Sequence, residues 1–213
     1  MADRLSLYND ALMLCGDRSL SSLTEEREPR RLLDQVWNSG GVDRCLEDAQ
    51  WHFAMRTVHI DYDPDIQPDF GYTRAFTKPT DWLLTSALCV DDRFQVPLNQ
   101  YFDEKDFWYS DMDEIFVRYI SNDPLYGMDL GKWPHSFTEF VTAHFASRII
   151  LKLSKSQEKF KELHALRELF KKEAKGRAAM AEPTSFPAKG SWVRSRTRGS
   201  QRGDRGNTGS LIG

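Results

Sequence analysis

Apolar residues at the start of the chain recur with the spacing of an α-helix. In residues 1–55 this spacing predicts one helix that ends at Gly16 and a second helix that is interrupted at Ser39-Gly40-Gly41 and continues to Trp51. The apolar faces of these helices consist of Leu5, Tyr8, Ala11, Leu12 and Cys15, and then of Leu32, Leu33, Val36, Trp37, Val42, Cys45, Leu46 and Ala49.

The helical spacing returns in residues 123–182. Pro134 is suited to the first position of a helix, and Ser136-x-x-Glu139 resembles a capping box. The pattern predicts a helix that extends to Leu153 and a last helix that ends near Glu182. Their apolar faces consist of Phe137, Phe140, Val141, His144, Phe145, Ile149 and Leu153, and then of Phe160, Leu163, Leu166, Phe170 and Ala174.

Residues 56–122 contain short runs of aromatic and β-branched residues instead, and Pro64, Pro68 and Gly71 separate two of these runs. Such runs are typical of short antiparallel strands. The predicted strands run from Val58 to Tyr62, Tyr72 to Phe76, Trp82 to Val90, Phe94 to Val96 and Ile115 to Ile120. The predicted fold class is α+β: an antiparallel helical bundle formed by residues 1–55 and 123–182, with a small antiparallel β-subdomain inserted at residues 56–122.

Residues 183–213 are predicted to form an extended, basic, Gly/Arg-rich C-terminal arm. Such a segment buries too little apolar surface to offset the entropy lost on ordering, so we expect a partner to hold it. Arg194, Arg196 and Arg198 alternate and would share one side of an extended chain. The candidate partner-docking residues are Phe186 and Trp192 as apolar anchors, and Arg194, Arg196, Arg198, Arg202 and Arg205. The alternative is a solvated tail with no fixed partner.

The net charge of −3 is unevenly distributed along the chain. Residues 1–182, called the body here, hold 23 of the 29 basic and 31 of the 32 acidic residues, which gives them a net charge of −8. An acidic body is unsuited to binding phosphate directly, whereas a basic arm can dock on an acidic neighbour or on nucleic acid.

The composition also restricts the environment in which the chain is expected to work. It has no apolar run long enough to span a membrane, and its opening residues lack the hydrophobic stretch of a signal peptide. Cys15, Cys45 and Cys89 are too widely spaced for a metal-binding pair or a disulfide framework. We therefore expect three small buried residues in a protein from a reducing, intracellular environment.

The first candidate for chemistry is an acidic loop. Asp61-x-Asp63-x-Asp65 copies the first ligands of an EF-hand, but Ile66 replaces the glycine that such a loop requires. An acidic surface turn without calcium is therefore the favoured interpretation.

The remaining candidates are clustered carboxylates and scattered histidines. Asp111, Asp113 and Glu114 could supply an acid/base pair, although such clusters more often mark the solvated entrance of a strand. The five histidines show no metal-ligand spacing, and His144 is predicted to be a core histidine. We expect no enzyme activity, no cofactor, and no catalytic, cofactor-binding or metal-binding residues.

Short motifs across residues 5–180 occur in the order and spacing of one known family. Those near the start are Asn9-Asp10-Ala11-Leu12-x-x-Cys15-Gly16, Ser21-Ser22-Leu23, Trp37, and Leu46 followed by Trp51-His52-Phe53-Ala54. Later features are Pro79-x-Asp81-Trp82, the predicted strand from Ile115 to Ile120 and the predicted helix from Ser136 to Leu153. In these features the chain resembles the tail tubular protein A family, the head-to-tail adaptor proteins of short-tailed bacteriophages.

The resemblance implies a structural virion protein that assembles in the host cytoplasm and resides in the neck of the particle. Members of the family form a homo-oligomeric ring, usually a dodecamer, between the portal protein and the tail nozzle. DNA would pass through this ring without sequence-specific binding. The helical bundle would build the ring, the β-subdomain would face neighbours or the tail, and the arm would extend towards the portal.

Two other classes of function stay open at this point. One is a nucleic-acid-binding protein that uses the Arg/Gly-rich arm on single strands. The other is a tail-associated glycan-cleaving enzyme, in which Asp111, Asp113 or Glu114 would have to project into a cleft.

Overall fold

The computed structural model describes residues 3–69 and 71–181. Over these residues the fold is α+β, with five α-helices and two three-stranded antiparallel sheets. The helices are α1 (Arg4–Cys15), α2 (Glu28–Asn38), α3 (Gly41–Leu46), α4 (His135–Ser154) and α5 (Gln157–Met180), and the strands are β1 (Met55–Asp61), β2 (Arg74–Thr77), β3 (Trp82–Cys89), β4 (Phe102–Asp103), β5 (Phe107–Ser110) and β6 (Glu114–Ser121). The predicted arm lies outside the described residues, and with it Phe186, Trp192, Arg194, Arg196, Arg198, Arg202 and Arg205.

Helix α1 begins and ends where its sequence provides caps. The Asp3 carboxylate accepts a hydrogen bond from the backbone N–H of Ser6 at 2.6 Å. At the other end Gly16 adopts a left-handed conformation with φ of 74°, and its N–H bonds the carbonyls of Leu12 and Met13. The predicted end of the first helix at Gly16 is confirmed.

The break between α2 and α3 is confirmed at the two glycines. Gly40 has φ of 77°, and a Cβ atom on Gly41 would lie 2.7 Å from the carbonyl oxygen of Val36. The predicted continuation of this helix to Trp51 is wrong, because α3 ends at Leu46. Trp51 folds back instead, and its indole Nε1 donates to the Cys45 carbonyl at 3.0 Å.

The predicted start of α4 is also partly wrong. The helix begins at His135, so Pro134 occupies the N-cap position and Ser136 lies within the first turn. The backbone N–H groups of Phe137 and Thr138 both bond the Pro134 carbonyl at 3.0 Å. The last helix, α5, begins after Ser156, whose hydroxyl accepts a hydrogen bond from the Lys159 N–H.

The six strands form two separate sheets, in the orders β1-β6-β3 and β2-β5-β4. Strand β6 is central in the first sheet, and its register with β1 runs from Met55 opposite Ile120 to Asp61 opposite Glu114. The sequence prediction missed β4 and β5. It was also wrong about Phe94–Val96, because Phe94 has φ of 55° and the Asp91 carboxylate accepts the N–H groups of Gln95 and Val96, which makes this run a turn.

The buried apolar residues form two clusters. The larger one joins the helices and includes Ile120 of β6, whereas the smaller one lies between the sheets and includes Trp108, Ile115, Val117 and Tyr119. Helix α4 is the centre of the larger cluster, because it packs against α1, α2, α3 and α5. Together the described residues form one compact unit.

The three cysteines are free thiols and are buried, as the sequence predicted. Burial raises the pKa of Cys15 to about 11, and it raises the pKa of Cys45 and of Cys89 as well. Of the helices described, none combines the length and apolar character needed to cross a membrane.

Candidate functional site

The first family-like motif, around Asn9, anchors a loop to helix α1. The Asn9 amide donates to the Leu20 carbonyl at 3.1 Å and accepts from the Leu20 N–H at 2.7 Å. Ala11 and Leu12 of the same motif are fully buried. These two hydrogen bonds supply partners for the N–H and C=O groups of Leu20, which lie outside any helix or strand. The motif therefore fixes the path of the chain between α1 and α2.

The second motif, Trp51-His52-Phe53-Ala54, lies where the helical layer passes into β1. The rings of Trp51 and Phe53 both lie 4.8 Å from the ring of Phe137, measured between centroids. Beside these rings is an apolar cavity of about 440 Å³, whose lining includes Phe53, Phe137 and Arg177. The motif thus attaches the start of the first sheet to helix α4.

The third motif contains Asp81, which links all three strands of the first sheet. Its carboxylate accepts hydrogen bonds from Arg56 Nη1 at 3.0 Å, from the Tyr119 hydroxyl at 3.1 Å and from the Ser121 hydroxyl. Burial alone would raise the pKa of Asp81, but the bonds from Ser121, Arg56 and Tyr119 outweigh it and hold the pKa below its ordinary value.

Lys78 is a buried charge that the sequence interpretation did not identify. Its side chain is 4 % exposed, and Nζ pairs with the Asp103 carboxylate and donates to the Glu104 carbonyl at 2.6 Å. The ammonium group also lies 3.7 Å from the ring centroid of Trp82 and 5.1 Å from that of Trp108. Because Trp82 belongs to the first sheet and Trp108 to the second, Lys78 holds the two sheets together.

The clustered carboxylates are exposed and bonded to neighbouring strands. Asp111 accepts from the backbone N–H and the hydroxyl of Thr73, and Asp113 pairs with Arg74. Glu114, the first residue of β6, is paired with His59 of β1. These contacts agree with the predicted solvated entrance of a strand. In each of them the carboxylate links the start of β6, or the turn before it, to a residue in or next to another strand.

The acidic loop behaves as a turn, and the sequence prediction of a core histidine is confirmed. Asp63 accepts from the backbone N–H of Asp65 and from the hydroxyl of Thr77. His144 is buried in α4, and burial, followed by the nearby cation of Arg167, lowers its pKa to about 4.

The sequence interpretation missed one group of possible ligands, because spacing along the chain reveals only two of its three members. His59, Asp61 and Glu114 meet across β1 and β6, and their ligand atoms all lie within 4.8 Å of one another. His59 and Asp61 could be read as an i, i+2 pair on one strand face. Glu114 could not be assigned to this group from the sequence, because its place beside Asp61 depends on the register of β6 with β1.

Helix α5 is the longest of the described helices, and most of its residues are exposed. Although it has 24 residues, only Leu163 and Ala174 are buried. On its outward side Leu169 is 60 % exposed. A long helix that packs on the core along one stripe keeps the rest of its surface exposed. That surface is available for contacts beyond those that the described residues make.

Comparison with known proteins gives no matching family model and no matching curated protein. The resemblance to the adaptor family therefore depends on the motifs of this chain alone. Trp51 and Asp81 connect elements that are distant in sequence, and Asn9 anchors the loop that follows its own helix.

Proposed function

We propose that this chain is a structural head-to-tail adaptor of a short-tailed bacteriophage. It forms a ring between the portal protein and the tail nozzle, in the neck of the virion, and DNA passes through that ring. In this proposal it has no enzyme activity and needs no cofactor. Its helices act as an antiparallel bundle, the strands between Met55 and Ser121 act as an inserted β-subdomain, and residues 183–213 act as the arm.

The observation that carries the proposal is the outward surface of helix α5, which the other described residues leave exposed. At 1.5 Å per residue the helix is roughly 36 Å long, yet only Leu163 and Ala174 are buried. The other apolar residues that it packs against the core are partly buried: Phe160, Leu166, Phe170 and Ala178. A ring of identical subunits needs two different surfaces on each subunit that fit together head to tail. The outward side of α5, with Leu169 exposed, is suited to be one of them.

The family-like motifs give independent support. Asn9 fixes the loop after α1. Trp51 bonds back to Cys45 of α3 and packs on α4, and Asp81 joins β1, β3 and β6. Motifs that hold helices and sheets together are what a scaffold protein has to preserve.

The charge of the body also agrees with a DNA conduit. Residues 1–182 carry a net charge of −8, and a net negative lining would not retain the phosphates of passing DNA. An assembled ring whose inner surface consisted mainly of Lys and Arg would contradict this part of the proposal.

The deciding experiment is the mass of the purified protein, measured alone and after mixing with the portal protein of its phage. We expect a monomer of 24.7 kDa in isolation and a ring only on the portal. Light scattering after size-exclusion chromatography distinguishes these states. A protein that stays monomeric in the presence of the portal would contradict the proposal.

The role of the arm is tested separately in the same assay. Phe186 and Trp192 are both replaced by Ala in the full-length chain, and a second form ends after Glu182. Because the arm is proposed to dock on the portal, both forms should keep the circular dichroism of the wild type but lose stable binding to portal particles. Normal head–tail joining by either form would refute the proposed role of the arm.

A further inference from the structure

We propose that His59, Asp61 and Glu114 form a binding site for Zn²⁺ or a related first-row divalent metal ion. His59 Nε2 lies 2.9 Å from Glu114 Oε2 and 3.6 Å from Asp61 Oδ1. Ligands at Zn–N and Zn–O distances of about 2.0–2.2 Å in a tetrahedron lie roughly 3.3–3.6 Å from one another. Small side-chain rotations therefore bring all three ligand atoms to a common ion.

The strand register builds this site. Asp61 and Glu114 are directly opposite each other in the last pair of the β1–β6 ladder. His59, two residues before Asp61, projects from the same face of β1. Val58 and Ile60 project from the other face and pack against the smaller apolar cluster, so a register shift that removed the site would also expose them.

The imidazole ring of His59 is held in place by its cross-strand neighbour. Phe116 is the register partner of His59, and the two rings are stacked with centroids 4.9 Å apart and an interplanar angle of 26°. A ligand ring whose orientation is fixed before binding loses less entropy when the metal arrives.

The electrostatics of the pair favour a bound cation. Two carboxylates directly opposite each other on adjacent strands repel each other, and the side chain that bridges Asp61 and Glu114 is the imidazole of His59. Arg74, the arginine of β2, is paired with Asp113, and its guanidinium lies 4.6 Å from the ring centroid of Tyr62. A divalent ion bound between Asp61 and Glu114 would offset their mutual repulsion, because each carboxylate would be attracted to the positive charge of the ion.

The donor set indicates which ion the site takes. One imidazole nitrogen with two carboxylate oxygens suits Zn²⁺ and its neighbours in the first transition row, whereas Mg²⁺ and Ca²⁺ prefer oxygen ligands alone. The three side chains are exposed, so a fourth position stays open to water or to a ligand from another molecule. This site is independent of the proposed adaptor function.

The test is isothermal titration of the untagged, full-length protein with ZnCl₂ and, in parallel, with MgCl₂. We expect the wild type to bind Zn²⁺ at this site and to bind Mg²⁺ far more weakly. His59→Gln and Glu114→Gln should each weaken Zn²⁺ binding at least about tenfold, because each removes a ligand. Their matched controls, His164→Gln and Glu162→Gln on the exposed side of α5, should bind as the wild type does.

Circular dichroism of all four variants checks that they fold, which is expected because every substituted side chain is exposed. Two results would overturn the proposal. One is a wild type that takes up no Zn²⁺, and the other is folded His59→Gln and Glu114→Gln variants that bind Zn²⁺ with unchanged affinity.

Discussion

Asp81 shows how one side chain can determine the stability of a sheet. It lies in the segment before β3 and accepts hydrogen bonds from Arg56 of β1 and from Tyr119 and Ser121 of β6. Its side chain is 13 % exposed. A carboxylate that is this well enclosed and this fully bonded stabilises the fold, whereas the same donors without it would be left unpaired.

We therefore predict that Asp81→Asn lowers the free energy of unfolding by about 2–4 kcal/mol near pH 7. Urea denaturation measures this difference, and Asp92→Asn, at an exposed aspartate, is the control. A loss as small as that of the control would show that the network adds little to stability.

The same substitution has a predictable dependence on pH. The pKa of Asp81 is lower in the folded chain than in the unfolded one, so its stabilising effect is complete above the unfolded pKa of about 4. The effect is lost as the pH falls through the folded pKa. The difference between wild type and Asp81→Asn should therefore shrink below about pH 4.

At the scale of elements, the loop between α1 and α2 depends on one amide. Asn9 donates to and accepts from the backbone of Leu20, whose side chain is buried. We predict that Asn9→Ala destabilises the protein by about 1–3 kcal/mol, because two backbone groups lose their partner.

Thermal or urea unfolding measures the effect of Asn9→Ala, with Asn99→Ala at an exposed position as the control. Faster hydrogen exchange at the Leu20 amide should accompany the loss of stability. If that amide exchanged at the same rate in both proteins, the loop would not depend on Asn9.

The elements also show what the sequence could and could not predict. The end of α1 at Gly16 and the break at Gly40-Gly41 were predictable, because glycine marks left-handed or crowded backbone locally. The end of α3 was not, since Trp51 fits the helical spacing and only its hydrogen bond to Cys45 shows that it has folded back. The spacing of apolar residues cannot reveal this hydrogen bond, because it forms only after the chain has left the helix and turned back.

The missed strands have a similar cause. Strand β4 has only two residues, Phe102 and Asp103, and the aromatic residues of β5 do not alternate with polar ones. The site at His59, Asp61 and Glu114 depends on the register of β1 with β6, which pairing alone establishes. The register between strands that are distant in sequence cannot be predicted from a single sequence.

At the scale of the whole molecule, strand β6 joins the two apolar clusters. Ile120 belongs to the larger cluster, while Ile115, Val117 and Tyr119 belong to the smaller one. Because one continuous strand contributes to both, neither cluster can be lost without disturbing the other. The helices and the sheets should therefore unfold together.

We predict that helical circular dichroism and tryptophan fluorescence follow a single, coincident unfolding transition in urea. Phe76→Leu, in the smaller cluster, should shift both signals to lower urea by the same amount, although it lies in β2 and outside every helix. A shift in fluorescence without a shift in the helical signal would show that the clusters unfold independently.

The burial of all three cysteines makes this protein convenient to tag. Thiol-directed dyes and crosslinkers react with accessible thiolates, and Cys15, Cys45 and Cys89 are both enclosed and hard to deprotonate. A single cysteine introduced at Leu169 on helix α5 would then be the one position that takes up a maleimide fluorophore. Energy transfer between two such labelled copies would report directly whether two copies of the chain associate.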